Sequence, residues 1–396
     1  MGADERISFD RGAHGRNQRI LSQKEDGSMK QMKKALFVLL LLAVFLGITL
    51  TACRKQEPAL QESTTEETET IPEVSATVVT EPEVLPTETE SEEEKYVISL
   101  AGDCTLGTNS TVYYADLGFI RTIGEDYGHP FRNVQCYFAN DDLTLVNLEG
   151  PLIDNGHPKP NKEFNFRGPT DYVNILTEGS VEAVSLANNH TEDYGTDGYQ
   201  STLDTLNEAG IPYVERDSSV IITLGDNFKV GIYGAMFYKL DEDQIVNGIT
   251  SLKEQGADFI IFAVHWGTEY SYNPASNQVS LAHSVIDAGA DVVWGHHPHV
   301  LQPIEKYGDG IIFYSLGNFS FGGNTSPRDY DSALIQLTLI RGVDGSVRMD
   351  QVEVHPVCIS SITTSNNYQP TPYEPSSAEY DRIMGKLNWS QSEKVD

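Results

Sequence analysis

Seven short apolar runs, most of them closing on polar residues, constrain the fold of this chain more than any other feature. They are YVISLAGD (96–103), LTLVNLEG (143–150), VEAVSLANNH (181–190), KVGIYGAMF (229–237), DFIIFAVHWG (258–267), DVVWGHHPH (291–299) and GIIFYSLGNF (310–319). Their Val, Ile, Leu and Phe run on almost without polar interruption. Such runs suit strands covered on both faces. Between them lie helical repeats, GYQSTLDTLNEAG (198–210) and NQVSLAHSVIDAGA (277–290), each with glycine near the expected C-cap. The pattern predicts an α/β fold with a largely buried sheet flanked by helices. ALIQLTLI and SVRMDQVEV alternate with period two around GVDG, which predicts a closing antiparallel hairpin with one exposed face.

The polar ends of five runs carry the chemistry. They supply Asp103, then Asn147 and Glu149, then Asn189 and His190, then His265, then His297 and His299. One polar residue after a strand is ordinarily a cap or a turn. Five clusters along an alternating α/β chain predict a single site, because ligands in such folds bind outside the carboxyl ends of the strands. Histidine nitrogens mixed with carboxylate and amide oxygens suit Mn, Fe or Zn.

The stretches AGDCTLG, VNLEGPL, FNFRGP, SLANNHTEDYG, VHWGTEY, GHHPHVLQP and YSLGNFSF, in that order, resemble the signature of the bacterial capsule-synthesis CapA (poly-γ-glutamate biosynthesis) family. That family is similar in fold to the calcineurin-like metallophosphoesterases. The resemblance covers 96–357 and implies a metallophosphoesterase-like layered fold holding one or two divalent ions. It implies Asp103, Asn189, His265, His297 and His299 as metal ligands and His190 as general acid. His296 reads as the variable member of its triplet. Two places depart from the superfamily: Thr105 stands where a histidine is usual, and Asn147 with Glu149 where an aspartate would bridge two metals. Asn147 and Glu149 are therefore the candidate ligands of that strand. Arg167 is the candidate grip on a phosphate or carboxylate, given the planar fork of its guanidinium. Trp266 is expected to pack and Asn318 to satisfy backbone groups.

The N-terminus carries an address. Residues 1–28 are polar and read as an extension from a start codon assigned too early. In 29–53, Lys30, Lys33 and Lys34 precede an apolar run that ends in LTAC, the form of a lipobox with Cys53 as the lipidated residue; an uncleaved anchor is the alternative. Residues 54–95, rich in Glu, Thr and Pro, predict a disordered acidic stalk. The expected location is the outer face of the cell membrane, reached as a lipoprotein. The tail, 358–396, is expected to end in a short helix near 377–387 with no assigned role.

A formal charge of −31 excludes a nucleic-acid surface, which would need a basic face. It also repels an anionic polymer at long range, so direct polymer contact needs a bridging metal or a local basic groove. The expectation is a membrane-anchored capsule (poly-γ-glutamate) synthesis or export protein, working with other capsule-synthesis membrane proteins and an anionic polymer. A metal-dependent hydrolase unrelated to capsule and a non-catalytic surface interaction protein are the alternatives.

Overall fold

Side chains alternate between the two faces of a strand, and here both faces are apolar, so each must be covered. The computed structural model describes residues 93–112, 118–237 and 240–390. The signal segment, Cys53 and the stalk up to its last few residues lie outside the described residues. In chain order the strands are β1 (Glu94–Thr105), β2 (Thr108–Asn109), β3 (Leu143–Leu148), β4 (Phe166–Arg167), β5 (Ala183–Ser185), β6 (Tyr213–Val214), β7 (Ser218–Leu224) and β8 (Phe228–Met236). They continue as β9 (Phe259–His265), β10 (Val292–His296), β11 (Ile304–Tyr307), β12 (Gly310–Phe313), β13 (Asn318–Phe321), β14 (Asp331–Arg341), β15 (Val347–Cys358) and β16 (Thr371–Pro372).

Two large sheets result. The first runs β16-β15-β14-β1-β3-β5-β6, with β13 also paired to β1; the second runs β11-β12-β10-β9-β8-β7. Each contains a parallel block: β1, β3, β5 and β6, running to one edge of the first sheet, and β8, β9, β10 and β12 at the centre of the second. Ile98, Leu100, Leu143 and Leu145 of the first sheet share one core with Val230, Ile232, Ile261 and Ala263 of the second. The opposite face of the first sheet, with Val146, Leu148 and Val184, packs on Ile175 and Leu176 of helix Val173–Glu178 and on Leu206 of helix Gly195–Ala209. Ile260, Phe262 and Val264 of the second sheet pack on Ile249 and Leu252 of helix Glu242–Glu254 and on Leu281 and Val285 of helix Ser276–Asp287. The layers are therefore helix, sheet, sheet, helix.

The predicted α/β class holds, with covered sheets and flanking helices, and the sheet is divided in two. Run 310–319 shows how: it breaks into β12 in the second sheet and β13 in the first, turning at Gly317, whose φ is +68°. Helix Glu242–Glu254 was not anticipated, although Ile245, Ile249 and Leu252 fall at helical spacing and Asp241 accepts from Gln244 N at 3.2 Å as its N-cap. The hairpin at GVDG forms as β14 and β15. The tail forms helix Ala378–Leu387, whose Ile383 and Leu387 join the inter-sheet core. Among the described residues no helix is long and apolar enough to cross a membrane.

A tryptophan bonds directly across the apolar interface between the sheets. Trp294 of β10 is fully buried, and its indole N–H donates to the Ala101 carbonyl of β1 at 2.9 Å. Its ring also meets His296 edge-on, with centroids 4.4 Å apart. Trp294→Phe keeps most of the volume but strands a buried carbonyl. It should cost about 1–3 kcal/mol in urea unfolding, and an unchanged midpoint would show that the bond is not needed to hold the sheets.

Candidate metal centre

The parallel blocks end at the same edge, and register sets their last residues side by side. Asp103 lies opposite Asn147 on one neighbour and Asn318 on the other, while His265 lies opposite His296 and Met236. Glycine permits the crowding. A Cβ on Gly102 would sit 2.1 Å from the Gly317 carbonyl oxygen, and one on Gly295 would sit 2.2 Å from that of Tyr314. Past β10 the backbone turns sharply. His297 and His299 have φ of +95° and +56°, a region L side chains avoid, which is how such strain collects at functional sites.

Asp103 is the first anchor. It is fully buried, accepts from Asn147 Nδ2 at 2.8 Å, and accepts from the His297 backbone N–H at 3.3 Å. His296 Nδ1 lies 3.1 Å from its Oδ1 and His299 Nδ1 lies 3.4 Å from its Oδ2. Burial opposes its charge, but the His296 and His299 rings outweigh burial and hold its carboxyl well below the usual range. Asn188 Nδ2 donates to Asn147 Oδ1 at 3.1 Å and to the Leu148 carbonyl at 2.9 Å, completing an amide relay to Asp103.

Glu149 sits opposite and is fully buried too, yet neither of its oxygens has a hydrogen-bond partner. Its Oε1 lies 3.7 Å from His265 Nε2 and 3.9 Å from both His190 Nε2 and His299 Nε2. Burial raises its pKa well above the usual value. His299 is also pushed up, to about 10, because Glu149 and Asp103 beside it outweigh burial. The two groups titrate together, because the charge on Glu149 that burial disfavours is the charge that raises His299. His265 and His297 stand 3.1 Å apart at Nε2 and Nδ1. Burial holds His265 well below its usual pKa and takes His297 down to about 4, each helped by a neighbouring histidine.

His190 occupies the edge of the cluster. Its Nδ1 lies 2.7 Å from Asp193 Oδ2, which leaves Nε2 facing Glu149. Asp193 is itself buried and fixed, accepting from the Phe166 backbone N–H at 2.6 Å and from Lys162. Burial lowers the His190 pKa, against the pull of Asp193.

Several expectations change with this geometry. Asn147 spends both ends of its amide on Asp103 and Asn188, so it is a positioning residue and not a presented ligand. Asn189 keeps its place, because its Oδ1 is buried without a partner. Arg167 is not brought to the cluster: its guanidinium donates to the Ile153 carbonyl at 2.9 Å and to that of Asp154, and lies over the Tyr194 ring. His296 is no variable loop residue, being the buried last residue of β10. Asn318 serves the backbone as expected, its Nδ2 donating to the His299 carbonyl at 3.4 Å, and its Oδ1 also faces His299 Nδ1 at 2.9 Å and so aims the His299 Nε2 toward Glu149. Trp266 packs as expected, fully buried and donating to the Tyr314 carbonyl at 2.9 Å. Asn188, Asp193 and Glu269 went unread. Asp193 stands three residues after His190, and Glu269 lies in the stretch VHWGTEY, four residues after His265, so both spacings could have exposed them.

The donor set fits a divalent metal. Ligand atoms of Asp103, Glu149 and His299 all lie within 4.8 Å of one another, and so do those of Glu269, His297 and His299. Glu149 Oε1 and Oε2 and Asn189 Oδ1 are buried without hydrogen bonds, a cost that a bound cation would remove. Asn318→Ala would release His299, and loss of such an orienting partner weakens metal binding by about 10- to 100-fold. Competition against a chelating dye measures this, and unchanged affinity would show that His299 is not a ligand.

Comparison with known proteins agrees with the sequence motifs. A profile described as bacterial capsule synthesis protein PGA_cap matches residues 97–323. The capsule biosynthesis protein CapA of Bacillus anthracis is 31% identical over 293 residues, covering 67% of this chain and 69% of its own. The PGA biosynthesis protein CapA of Bacillus subtilis (strain 168) is 30% identical over 264 residues, covering 61% and 69%. Among solved structures, the NAD nucleotidase of Haemophilus influenzae aligns with TM-score 0.38 at 14% identity, covering 76% of this chain and 64% of its own. A purple acid phosphatase from yellow lupin seeds aligns with TM-score 0.33 at 11% identity, covering 76% and 57%. On its motifs, its matched profile and these relatives, the chain belongs to the bacterial capsule synthesis protein PGA_cap family.

Proposed function

We propose that this protein is a metal-dependent hydrolase of phosphoesterase type, tethered to the outer face of the membrane and acting in capsule poly-γ-glutamate synthesis or export. One observation carries the catalytic part: Glu149, a fully buried carboxylate without a hydrogen bond, stands among His190, His265 and His299. Asp103, Glu149, Asn189, His265, His297 and His299 would hold one or two ions of Mn, Fe or Zn. Bound there, a divalent ion supplies Lewis-acid polarisation of a phosphoryl or acyl oxygen and a nucleophile at neutral pH.

The chain's own residues do the rest. Asp193 fixes the His190 hydrogen on Nδ1 and stabilises the ring when Nε2 also takes a proton. His190 Nε2, 3.9 Å from Glu149, is thus placed to exchange a proton with a leaving oxygen or nitrogen. Phe166, its ring centroid 4.4 Å from that of His190, shields this side from water. Poly-γ-glutamate enters through the names of the relatives and the resemblance of the motifs. The lipobox at Cys53 supports the membrane tether, and the acidic segment after it supports a stalk.

The manganese-loaded protein should turn over p-nitrophenyl phosphate or a γ-glutamyl anilide. His190→Ala should lower kcat by about 10²- to 10⁴-fold, with Asp193→Asn falling between. Absence of turnover on either substrate with metal bound would favour polymer handling without cleavage.

A further inference from the structure

Beside the metal centre lies a cavity of about 240 Å³ that the chemistry above does not use. It is smaller than the ~300–1,000 Å³ of sites that enclose a whole small ligand, so it suits one substituent of a larger chain. Asn189, with its unpartnered buried oxygen, lines this cavity and directly precedes His190 of the cluster. Met236, opposite His265 in the sheet, also lines the cavity. The rim carries Lys159, Arg216 and Glu192.

The charges at this rim differ from those of the chain as a whole. Lys159 and Glu192 pair at 2.7 Å and cancel. Arg216 lies within the field of Glu192 across the cavity, which Lys159 holds in its own ion pair, and has the Asp217 carboxylate Oδ2 at 3.6 Å from its Nε. That distance is too long for a hydrogen bond, and the terminal fork of Arg216 donates none among the described residues. The side chain is 46% exposed, so solvent and solute reach it. In a chain of net charge −31, this is a cation left open beside a candidate reaction centre.

The backbone beneath Arg216 is fixed. The residue lies where the chain crosses from β6 in the first sheet to β7 in the second. Glu215 N donates to Ser218 Oγ at 3.0 Å and Asp217 N donates to the Gly234 carbonyl at 2.8 Å. Asp217 adopts φ of +56°, and a Cβ on Gly234 would sit 2.4 Å from the Glu215 carbonyl oxygen. Lys159 is fixed from the other side, its backbone N–H donating to the Asp193 carbonyl at 2.8 Å.

We infer that this cavity is a substrate subsite in which the Arg216 fork binds the free carboxylate of a γ-glutamyl residue next to the bond held at the metal centre. The inference rests on the proposed action on poly-γ-glutamate. A planar fork meeting a carboxylate edge gives two charge-assisted hydrogen bonds and sets the register of a repeating chain. It also supplies the local cation that a polyanion needs to approach so acidic a protein.

The test is fluorescence anisotropy of a labelled γ-linked glutamate pentamer at fixed ionic strength, with the full-length, manganese-loaded protein. Arg216→Ala should weaken binding by about tenfold or more, Arg216→Lys should recover part of it, and a pentamer with amidated carboxylates should not bind. Arg348→Ala removes the same charge on β15, near the start of β1 and away from its carboxyl end, and should change nothing. If the pentamer binds equally to wild type and Arg216→Ala, the subsite is wrong while the polyglutamate reading stands. If it fails to bind but a short polyphosphate binds in an Arg216-dependent way, the anion subsite stands and the polyglutamate reading falls. Failure of both probes overturns the inference.

Discussion

A buried carboxylate without a hydrogen bond costs a folded protein several kcal/mol unless a cation answers it, and Glu149 is such a group. The surroundings are arranged around that cost. Asp103 is held in place by donors on several sides and lies close enough to Glu149 and His299 for all three to share an ion. Glu149 faces histidine nitrogens at 3.7 and 3.9 Å, too far to bond directly and close enough to share an ion. Asn318 and Asp193 each hold one of those rings by its far nitrogen. A polar cluster with its partners locked and its centre left without donors is built for an occupant.

The two-sheet scaffold is what delivers these residues together. Each sheet contributes the carboxyl ends of a parallel block, and the core between the sheets fixes their spacing. Trp294 joins this packing to the site, with one edge on Ala101 and its ring against His296. The left-handed conformations of His297 and His299 are the local strain such a site requires. The global core holds them in place.

Much of this was legible in the sequence, because continuous apolar runs report buried strands and strand ends report sites. Asp103, Glu149, His190, His265, His297 and His299 do converge. The division into two sheets was not legible, since a strand's apolar run looks the same whichever layer covers it. Asn147 misled because residue type gives no direction: its amide turns sideways into Asn188 and Asp103. Arg167 misled for the same reason, its fork closing on loop carbonyls. Asp193 and Asn318 act through other side chains: the three-residue spacing from His190 points to Asp193, but the pairing of Asn318 on β13 with His299 in the loop after β10 is settled by the fold.

The central claim is that Glu149 exists to hold a cation. The most direct measurement is elemental analysis of the detergent-solubilised full-length protein after reconstitution and dialysis, beside Glu149→Gln, with circular dichroism confirming the fold of both. The account predicts about one or two equivalents of Mn, Fe or Zn in the wild type, lost or sharply reduced in the variant. Equal metal in both proteins, or none in either, would contradict it.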